Sequence, residues 1–181
     1  MDPFVNNLVA TFSTELAGSV TDAVGGVAGH SGAFAAALTY LLGEPGIGLE
    51  ELRAPLLLSQ PASVRLLRQL TDAGLVTRTA DREDGRRVQI HLTAKGRQQA
   101  RAVLAARSEV IATFLSVLTD AEQQQLAEIA AKVLAEATRN RADAERLCRL
   151  CDLRACPESV CPVELAAASG RGLPSDPAVT D

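Results

Sequence analysis

Residues 58–97, LSQPASVRLLRQLTDAGLVTRTADREDGRRVQIHLTAKGR, decide the fold of this chain. The first part predicts a helix that begins after Ser59, has Pro61 in its first turn and stops at Gly74, a residue type that tolerates a left-handed backbone. One face of this helix carries leucines at helical spacing, which predicts a buried stripe; these are Leu66, Leu67 and Leu70. The opposite face is small and polar enough to enter a DNA major groove.

Two short segments after this helix have the period-two alternation of β-strands, at residues 75–79 and 88–92. Segment 81–87 between them is a loop tip with one glycine and three arginines. A helix suited to the groove, followed by a basic hairpin, predicts a winged helix-turn-helix. The expected fold class is mainly α with a small β-hairpin wing.

Charge is distributed unevenly along the chain. The whole chain has a net charge of −4, yet residues 65–107 hold nine arginines and one lysine against four acidic residues, a net charge of +6. Charge concentrated in this way draws phosphate to one face of a protein. We therefore expect double-stranded DNA as the partner, whereas a solvated charged face is the alternative interpretation of the run alone.

The expected DNA contacts come from the predicted recognition helix and from the wing. They are Ser59, Gln60, Ala62, Ser63, Arg65 and Arg68 on the helix, and Arg82, Arg86 and Arg87 on the wing. We expect Arg65 to read a base edge and the wing arginines to reach the minor groove or phosphates. One of the last two wing arginines can instead pair with Asp81 or Asp84.

The remaining long helices predict a dimer. Phe4 and Leu8 begin an apolar repeat over residues 4–24, and two further helices are predicted at 94–118 and from 119 to about 144. These helices have more apolar surface than one small winged helix can cover. A two-fold homodimer would place two recognition helices about one DNA turn apart on an inverted-repeat operator; the alternative is a self-contained monomeric core.

This pattern divides the chain into four parts. They are a helical dimerisation region at 1–30 and 98–147, a winged helix-turn-helix DNA-binding domain at 31–97, a cysteine metal-binding loop at 148–163 and a disordered tail at 164–181.

The winged-helix residues also resemble the multiple-antibiotic-resistance regulator (MarR) family of bacterial transcription factors. The resemblance is carried, in order, by Ser59-Gln60-Pro61, Leu70-x-x-x-Gly74-Leu75-Val76, Asp81-x-x-Asp84-Gly85-Arg86-Arg87 and Leu92-Thr93-x-x-Gly96-Arg97. Leu57, where the family often has a small turn residue, and Pro55 depart from the pattern. The resemblance implies a dimer interlocked through its terminal helices. It also implies that the regulator acts as a repressor. It also implies a small phenolic or lipophilic effector between the dimerisation helices and the DNA-binding part.

All four cysteines lie in one short segment, with the spacing C-x2-C-x4-C-x4-C. They are Cys148, Cys151, Cys156 and Cys161. A single compact loop of thiolates favours an iron–sulfur cluster, with 4Fe–4S preferred over 2Fe–2S. A zinc ion is the alternative cofactor, although structural zinc sites usually have two close pairs and a longer connector. A reversible redox disulfide is a third interpretation.

Three arginines within this segment and beside it, Arg146, Arg149 and Arg154, are expected to offset the negative charge of a thiolate-bound cluster. Because the cysteines follow a predicted dimerisation helix, we expect a cluster there to fix the end of that helix. The spacing of the two recognition helices would then depend on the cluster, which predicts a redox, gas or iron sensor.

Other functional classes find little support. The sequence has only two histidines, no phosphate-binding glycine loop after a strand and no serine or cysteine with a histidine base nearby, so we expect no enzyme. No 18-residue apolar run and no secretion signal are present, so we expect a cytoplasmic protein without a membrane partner.

Overall fold

The computed structural model describes residues 1–29, 32–80, 88–157 and 159–170. Its elements, in chain order, are α1 (Pro3–Ala28), α2 (Gly32–Gly43), α3 (Leu49–Arg53), α4 (Gln60–Asp72), β1 (Val76–Ala80), β2 (Val88–Leu92), α5 (Ala94–Leu115), α6 (Asp120–Ala137), α7 (Arg141–Cys148) and α8 (Pro162–Ser169).

The winged-helix part forms as the sequence predicts. Helix α4 begins after Ser59, has a proline in its first turn, and is followed by Gly74 at φ 69°. Strands β1 and β2 pair antiparallel, with Val76 opposite Leu92, and an isolated bridge joins Ile47 to the inner strand β2. The mainly helical fold with a two-stranded wing is confirmed.

One hydrophobic core holds this part together. Leu66, Leu67 and Leu70 of α4 are buried, as the stripe predicted. They belong to the same packed cluster as Phe34 and Leu38 of α2. Helix α2 therefore lies at the centre of the core, and α4 is held against it with its other face outward.

Helix α1 is longer than the sequence predicted. Gly25 and Gly26, which follow the repeat predicted over residues 4–24, lie within the helix. It ends at Gly29, which has φ 67° and whose N–H donates a hydrogen bond to the Gly25 carbonyl. A glycine inside a helix costs about 1 kcal/mol relative to alanine and so weakens a helix without ending it.

The predicted helix from residue 119 to about 144 is wrong, because it is broken into α6 and α7. Thr138 has an extended backbone, and the Asn140 side chain caps α7 by accepting a hydrogen bond from the Asp143 N–H. Asp143 is buried and accepts hydrogen bonds from both the backbone and the guanidinium of Arg139. A strong local cap therefore overrides continuous helix propensity at this point.

The C-terminal boundaries also differ from expectation. The cysteine segment is not one loop from 148 to 163, since Cys148 ends α7 and Cys161 precedes α8. The tail is helical at 164–169, where a proline at the first helical position and a run of alanines favour a helix. The rest of the predicted disordered tail, 171–181, lies outside the described residues.

Apolar side chains remain exposed on two long helices of the single chain. On α1 they are Phe4, Val5, Leu8, Val9 and Phe12, and on α6 they are Ile129, Val133 and Leu134. Helix α6 has no buried residue at all. Phe12 and Phe114 of α5 meet edge to face, with ring centroids 5.6 Å apart.

Within the described part of the chain, no single helix is long and apolar enough to span a membrane. Only the bent pair α5 and α6 meets that test, by length and composition.

Candidate DNA-binding surface and cysteine cluster

The outer face of α4 presents most of the residues predicted to meet DNA. Ser59, Gln60, Arg65 and Arg68 are exposed, and Ala62 is half-buried. Arg68 lies 3.7 Å from Asp72, one helical turn later, in a pair that is exposed on both sides. An exposed pair of this kind is weak, so Arg68 can exchange Asp72 for a phosphate.

Ser63 does not belong to this face. Only 2 % of its surface is exposed, and its hydroxyl donates a hydrogen bond to the Gln60 carbonyl at 2.8 Å. The expectation of an outward Ser63 is therefore wrong, because its position on the helix turns it toward the buried leucines.

Val64 is on the outer face instead, 52 % exposed beside Arg65. Val64 was not among the DNA contacts predicted from the sequence. The helical spacing could have identified Val64, since it lies one turn before Arg68 and therefore on the same face of α4. An exposed branched side chain suits contact with a thymine methyl group.

Strands β1 and β2 form the described part of the wing. Residues 77–80 of β1 are exposed, Arg78 among them. The tip with Arg82, Arg86 and Arg87 lies outside the described residues, so their predicted contacts stay predictions.

The base of the wing explains the motif Leu92-Thr93-x-x-Gly96-Arg97. Thr93 caps α5 by accepting a hydrogen bond from the Gly96 N–H and also donates to the Gly74 carbonyl at 2.8 Å. A Cβ on Gly96 would lie 2.0 Å from the Leu75 carbonyl oxygen. Arg97 donates to the Leu92 carbonyl at 2.8 Å. These residues therefore lock the wing onto α5.

The four cysteines come together in a second, smaller hydrophobic cluster. Cys148 and Cys161 are buried, and Cys151 and Cys156 are partly buried against them, with Ala144 and Val163 completing the packing. Cys148 lies beside Cys151 as a first pair, and Cys156 lies beside Cys161 as a second. The cysteines separated in sequence are therefore neighbours in space.

The thiols of the first pair differ in their acidity. The hydrogen bond from the Cys148 thiol lowers the pKa of Cys151, and the guanidinium of Arg107 adds to this effect. The same hydrogen bond, together with burial, raises the pKa of Cys148. Cys151 is thus the more acidic thiol of this pair.

The donor set fits a cysteine-ligated group in its chemistry, since thiolates suit both iron and zinc. As the side chains are placed, no three His, Cys, Asp or Glu residues in the described part of the chain surround one point as ligands of a single ion. The thiols are gathered into one cluster as two pairs.

A cavity of about 230 Å³ opens beside the cluster. Its lining comprises Tyr40, Glu44, Arg141, Glu145, Cys148, Leu153, Cys156, Cys161 and Glu164. Burial and the nearby carboxylates of Glu145 and Glu44 raise the pKa of Tyr40 to about 12. The wall carries three carboxylates against one guanidinium, so it is negative beside three of the thiols.

The arginines expected to balance a cluster have other partners. Arg146 lies 3.5 Å from Asp143 and Arg154 lies 3.7 Å from Asp152. Arg149 donates to the carbonyl of Arg146. The cation that acts on a thiol is instead Arg107 from α5, which lowers the pKa of Cys151. Arg141 lies in the cavity wall, 2.7 Å from Glu164. Two local carboxylates and one backbone carbonyl are therefore the partners of the arginines that the sequence assigned to the cluster.

Comparison with known proteins places the similarity on the winged helix. The family model described as "MarR family" matches residues 32–87. The HTH-type transcriptional repressor MdtR of Bacillus subtilis (strain 168) is 38% identical over 75 residues, which are 41% of this chain and 48% of that repressor. The alignment thus spans about half the length of this curated relative.

Solved structures share the fold over a larger part of the chain. A MarR family protein of Mycobacterium tuberculosis in complex with salicylic acid is 28% identical, with a TM-score of 0.56, covering 74% of this chain and 97% of that one. A MepR mutant of S. aureus bound to an oligodeoxyribonucleotide is 24% identical, with a TM-score of 0.58 and coverages of 72% and 96%. The YusO protein of Bacillus subtilis has a TM-score of 0.63 at 23% identity, with coverages of 71% and 91%.

These similarities are to regulators and not to enzymes, which agrees with the expectation from the sequence. The chain therefore has the fold of the MarR-type winged-helix regulators, and its residues 32–87 match that family in sequence.

Proposed function

We propose that this chain is a dimeric, sequence-specific DNA-binding transcriptional regulator, acting as a repressor, whose DNA binding is modulated by a cysteine-ligated iron–sulfur cluster. The observation that carries the DNA-binding part is the outer face of α4. It presents Gln60, Val64, Arg65 and Arg68 to solvent while its leucines are buried. A helix held in this way beside a wing can enter the major groove.

The contacts divide into two kinds by their chemistry. Arg65 can donate two hydrogen bonds to a guanine edge, and Val64 beside it can meet a thymine methyl group. Arg78 on β1 and the arginines in the sequence of the wing tip suit phosphates or the minor groove. Base contacts supply specificity, whereas phosphate contacts supply affinity that depends on salt.

A second copy of this chain is the proposed occupant of the apolar faces of α1 and α6. Phe4 is 67 % exposed and Val133 is 62 % exposed in the single chain. Two terminal helices with such faces suit an isologous two-fold interface. This arrangement would present two α4 helices to an inverted-repeat operator.

The DNA-binding proposal is tested with an operator selected by the parent protein from random-sequence duplexes. Arg65→Ala is expected to weaken binding to the selected site by about 1–3 kcal/mol and to random duplex by less. Arg86→Ala is expected to weaken both more evenly and to lower the salt slope by about one. Lys132→Ala, on α6, removes one exposed positive charge away from α4 and serves as the control. Parent-like binding by both arginine variants would contradict the assignment of this surface.

The cluster proposal is supported by the gathering of all four thiols in one packed site. Cys148, Cys151, Cys156 and Cys161 would hold the group, which would supply a redox- and gas-reactive centre. Iron and acid-labile sulfide are expected in protein purified without air, and both are expected to be lost in a Cys151→Ala, Cys156→Ala variant. One zinc per chain without sulfide would contradict the cluster and support a structural zinc site.

A repressor that responds to a small molecule, with structural zinc or a thiol switch at the cysteines, is the second candidate. The contact between Cys148 and Cys151 and the lowered pKa of Cys151 favour the thiol switch, because the thiolate is the reactive form. The relative solved with salicylic acid favours a small-molecule effector. Protein that contains neither iron nor zinc but forms a reversible disulfide on mild oxidation would support this candidate.

A further inference from the structure

We infer that the cysteine segment, residues 148–161, acts on the DNA-binding part directly through helix α2. This inference rests on the proposed function, because it concerns how the same cysteine site regulates DNA binding. It differs from the route predicted by the sequence, in which the cluster fixes the end of a dimerisation helix. The contacts that support it join the segment to α2 and α5.

The first contact is made by Thr39, a buried residue in the middle of α2. Its hydroxyl lies 2.8 Å from the carbonyl oxygen of Arg149, 110 residues further along the chain. Only 1 % of Thr39 is exposed. The bond therefore joins the core helix to the peptide between Arg149 and Leu150, just after Cys148.

Two further contacts hold the same segment. The guanidinium of Arg107, on α5, donates to the carbonyl of Leu150. Leu153 lies directly over Gly43 at the end of α2, so closely that a Cβ on Gly43 would be 2.5 Å from the Leu153 Cδ1 atom. Two successive carbonyls just before Cys151, and the Leu153 side chain just after it, thus have partners in the winged-helix part of the chain or on the helix that follows it.

Helix α2 in turn contacts the helix proposed to read DNA. Phe34 and Leu38 of α2 and Leu66 and Leu70 of α4 belong to one buried cluster. Close-packed interiors transmit small displacements because they contain few voids. A change in the geometry around Cys148 and Cys151 that breaks or remakes the Thr39 bond would therefore be transmitted to α4.

A second route is available through α8, which packs against both α6 and α7. This route would change the dimerisation helices first. Helix α6 has no buried residue and is separated from α7 by the break at Thr138. The α2 route begins at the part-buried bond between Thr39 and Arg149 and continues through the buried core that α2 shares with α4. The two routes therefore predict different regions of altered hydrogen exchange.

The first test is amide hydrogen exchange of the parent protein and a Cys148→Ser, Cys161→Ser variant. Faster exchange is expected in residues 36–43 of α2, by about 2- to 13-fold for the loss of one hydrogen bond. Residues 3–20 of α1 serve as the internal control and are expected to be unchanged. Faster exchange confined to α6, with α2 unchanged, would overturn the inference.

The second test uses Thr39→Val, which removes the hydroxyl and keeps a similar size. Thr21→Val is the matched control, because the Thr21 hydroxyl bonds only within its own helix, to the Ala17 carbonyl. For each protein, operator affinity is measured at one salt concentration before and after oxidation of the cysteine site. In the parent, oxidation is expected to change operator affinity by a certain factor. In Thr39→Val this factor is expected to be smaller by about 2- to 13-fold, with iron and thiol content unchanged.

An unchanged ratio in Thr39→Val would overturn the inference. Failure of the proposed cofactor gives a different result, namely parent protein without iron or sulfide. In that case the exchange experiment still decides the inference, because the contacts of Thr39 and Leu153 involve the chain alone.

Discussion

Replacing Gly96 with alanine is expected to destabilise the protein, although alanine is the better helix former. The added Cβ would lie 2.0 Å from the carbonyl oxygen of Leu75 and 3.1 Å from the Cδ2 atom of Leu92. The Leu75 oxygen accepts hydrogen bonds from the Thr93 N–H at 2.9 Å and its hydroxyl at 3.3 Å. The wing and α5 must therefore move apart by more than about 1 Å to reach normal contact distances.

The cost of this movement follows from the contacts that it disturbs. Overpacking of a well-packed site costs about 1–3 kcal/mol, and each hydrogen bond lost at Leu75 costs about 0.5–1.5 kcal/mol. The higher helix propensity of alanine offsets about 1 kcal/mol of this loss in stability. The expected net loss in the free energy of unfolding is about 1–5 kcal/mol.

Urea unfolding followed by far-ultraviolet circular dichroism measures this loss. Gly18→Ala is the control, since Gly18 is also inside a helix but its added Cβ would meet no atom within 4 Å. It is expected to stabilise the protein by as much as about 1 kcal/mol. A Gly96→Ala variant as stable as the parent would refute the reasoning.

Three further changes test other local features. Asp143 has a pKa lowered to about 2 from 3.8, mainly by its hydrogen bond from Arg139, so it contributes stability above about pH 4 that is lost as the pH falls toward 2. Asp143→Asn is expected to flatten the dependence of unfolding free energy on pH over this range, and an equally steep dependence would contradict this. Leu57→Gly is expected to raise the urea midpoint, with a gain of about 0.5–1 kcal/mol in the free energy of unfolding. The reason is that Leu57 is 74% exposed and has a left-handed backbone at φ 52°. A lower midpoint would argue against backbone strain at this residue. Thr119→Ala removes the capping box with Glu122 at the start of α6 and is expected to cost about 0.5–2 kcal/mol in thermal or urea unfolding, whereas no loss would show that α6 does not need this cap.

The winged helix could be predicted from the sequence because its signals are local. The leucine stripe, Gly74 and the two alternating strands each determine a structure within a few residues, and the departure noted at Leu57 coincides with a left-handed backbone. The orientation of Ser63 could not be assigned by residue type, since small polar residues occur on either face. Its helical phase relative to Leu66 and Leu67 decides that it is buried.

The cysteine site was predicted only in part. The clustering of the cysteines in sequence indicated that they act together, but their partners come from distant elements. Arg107 on α5 and Thr39 on α2 hydrogen-bond to the cysteine segment although they lie far from it in sequence. A pattern of residues within one segment contains no information about such contacts.

Helix α2 is enclosed on every side, and this limits the directions in which it can move. Ala35, Ala36 and Ala37 are consecutive and buried, and consecutive helical residues point about 100° apart, so their side chains face almost all around the axis. Sideways displacement would compress packed neighbours in every direction. Displacement along the axis is opposed as well, by the buried side chains of Phe34, Leu38 and Leu41. A change at the Gly43 end, where Leu153 of the cysteine segment lies against α2, therefore meets a helix that can move only together with its neighbours.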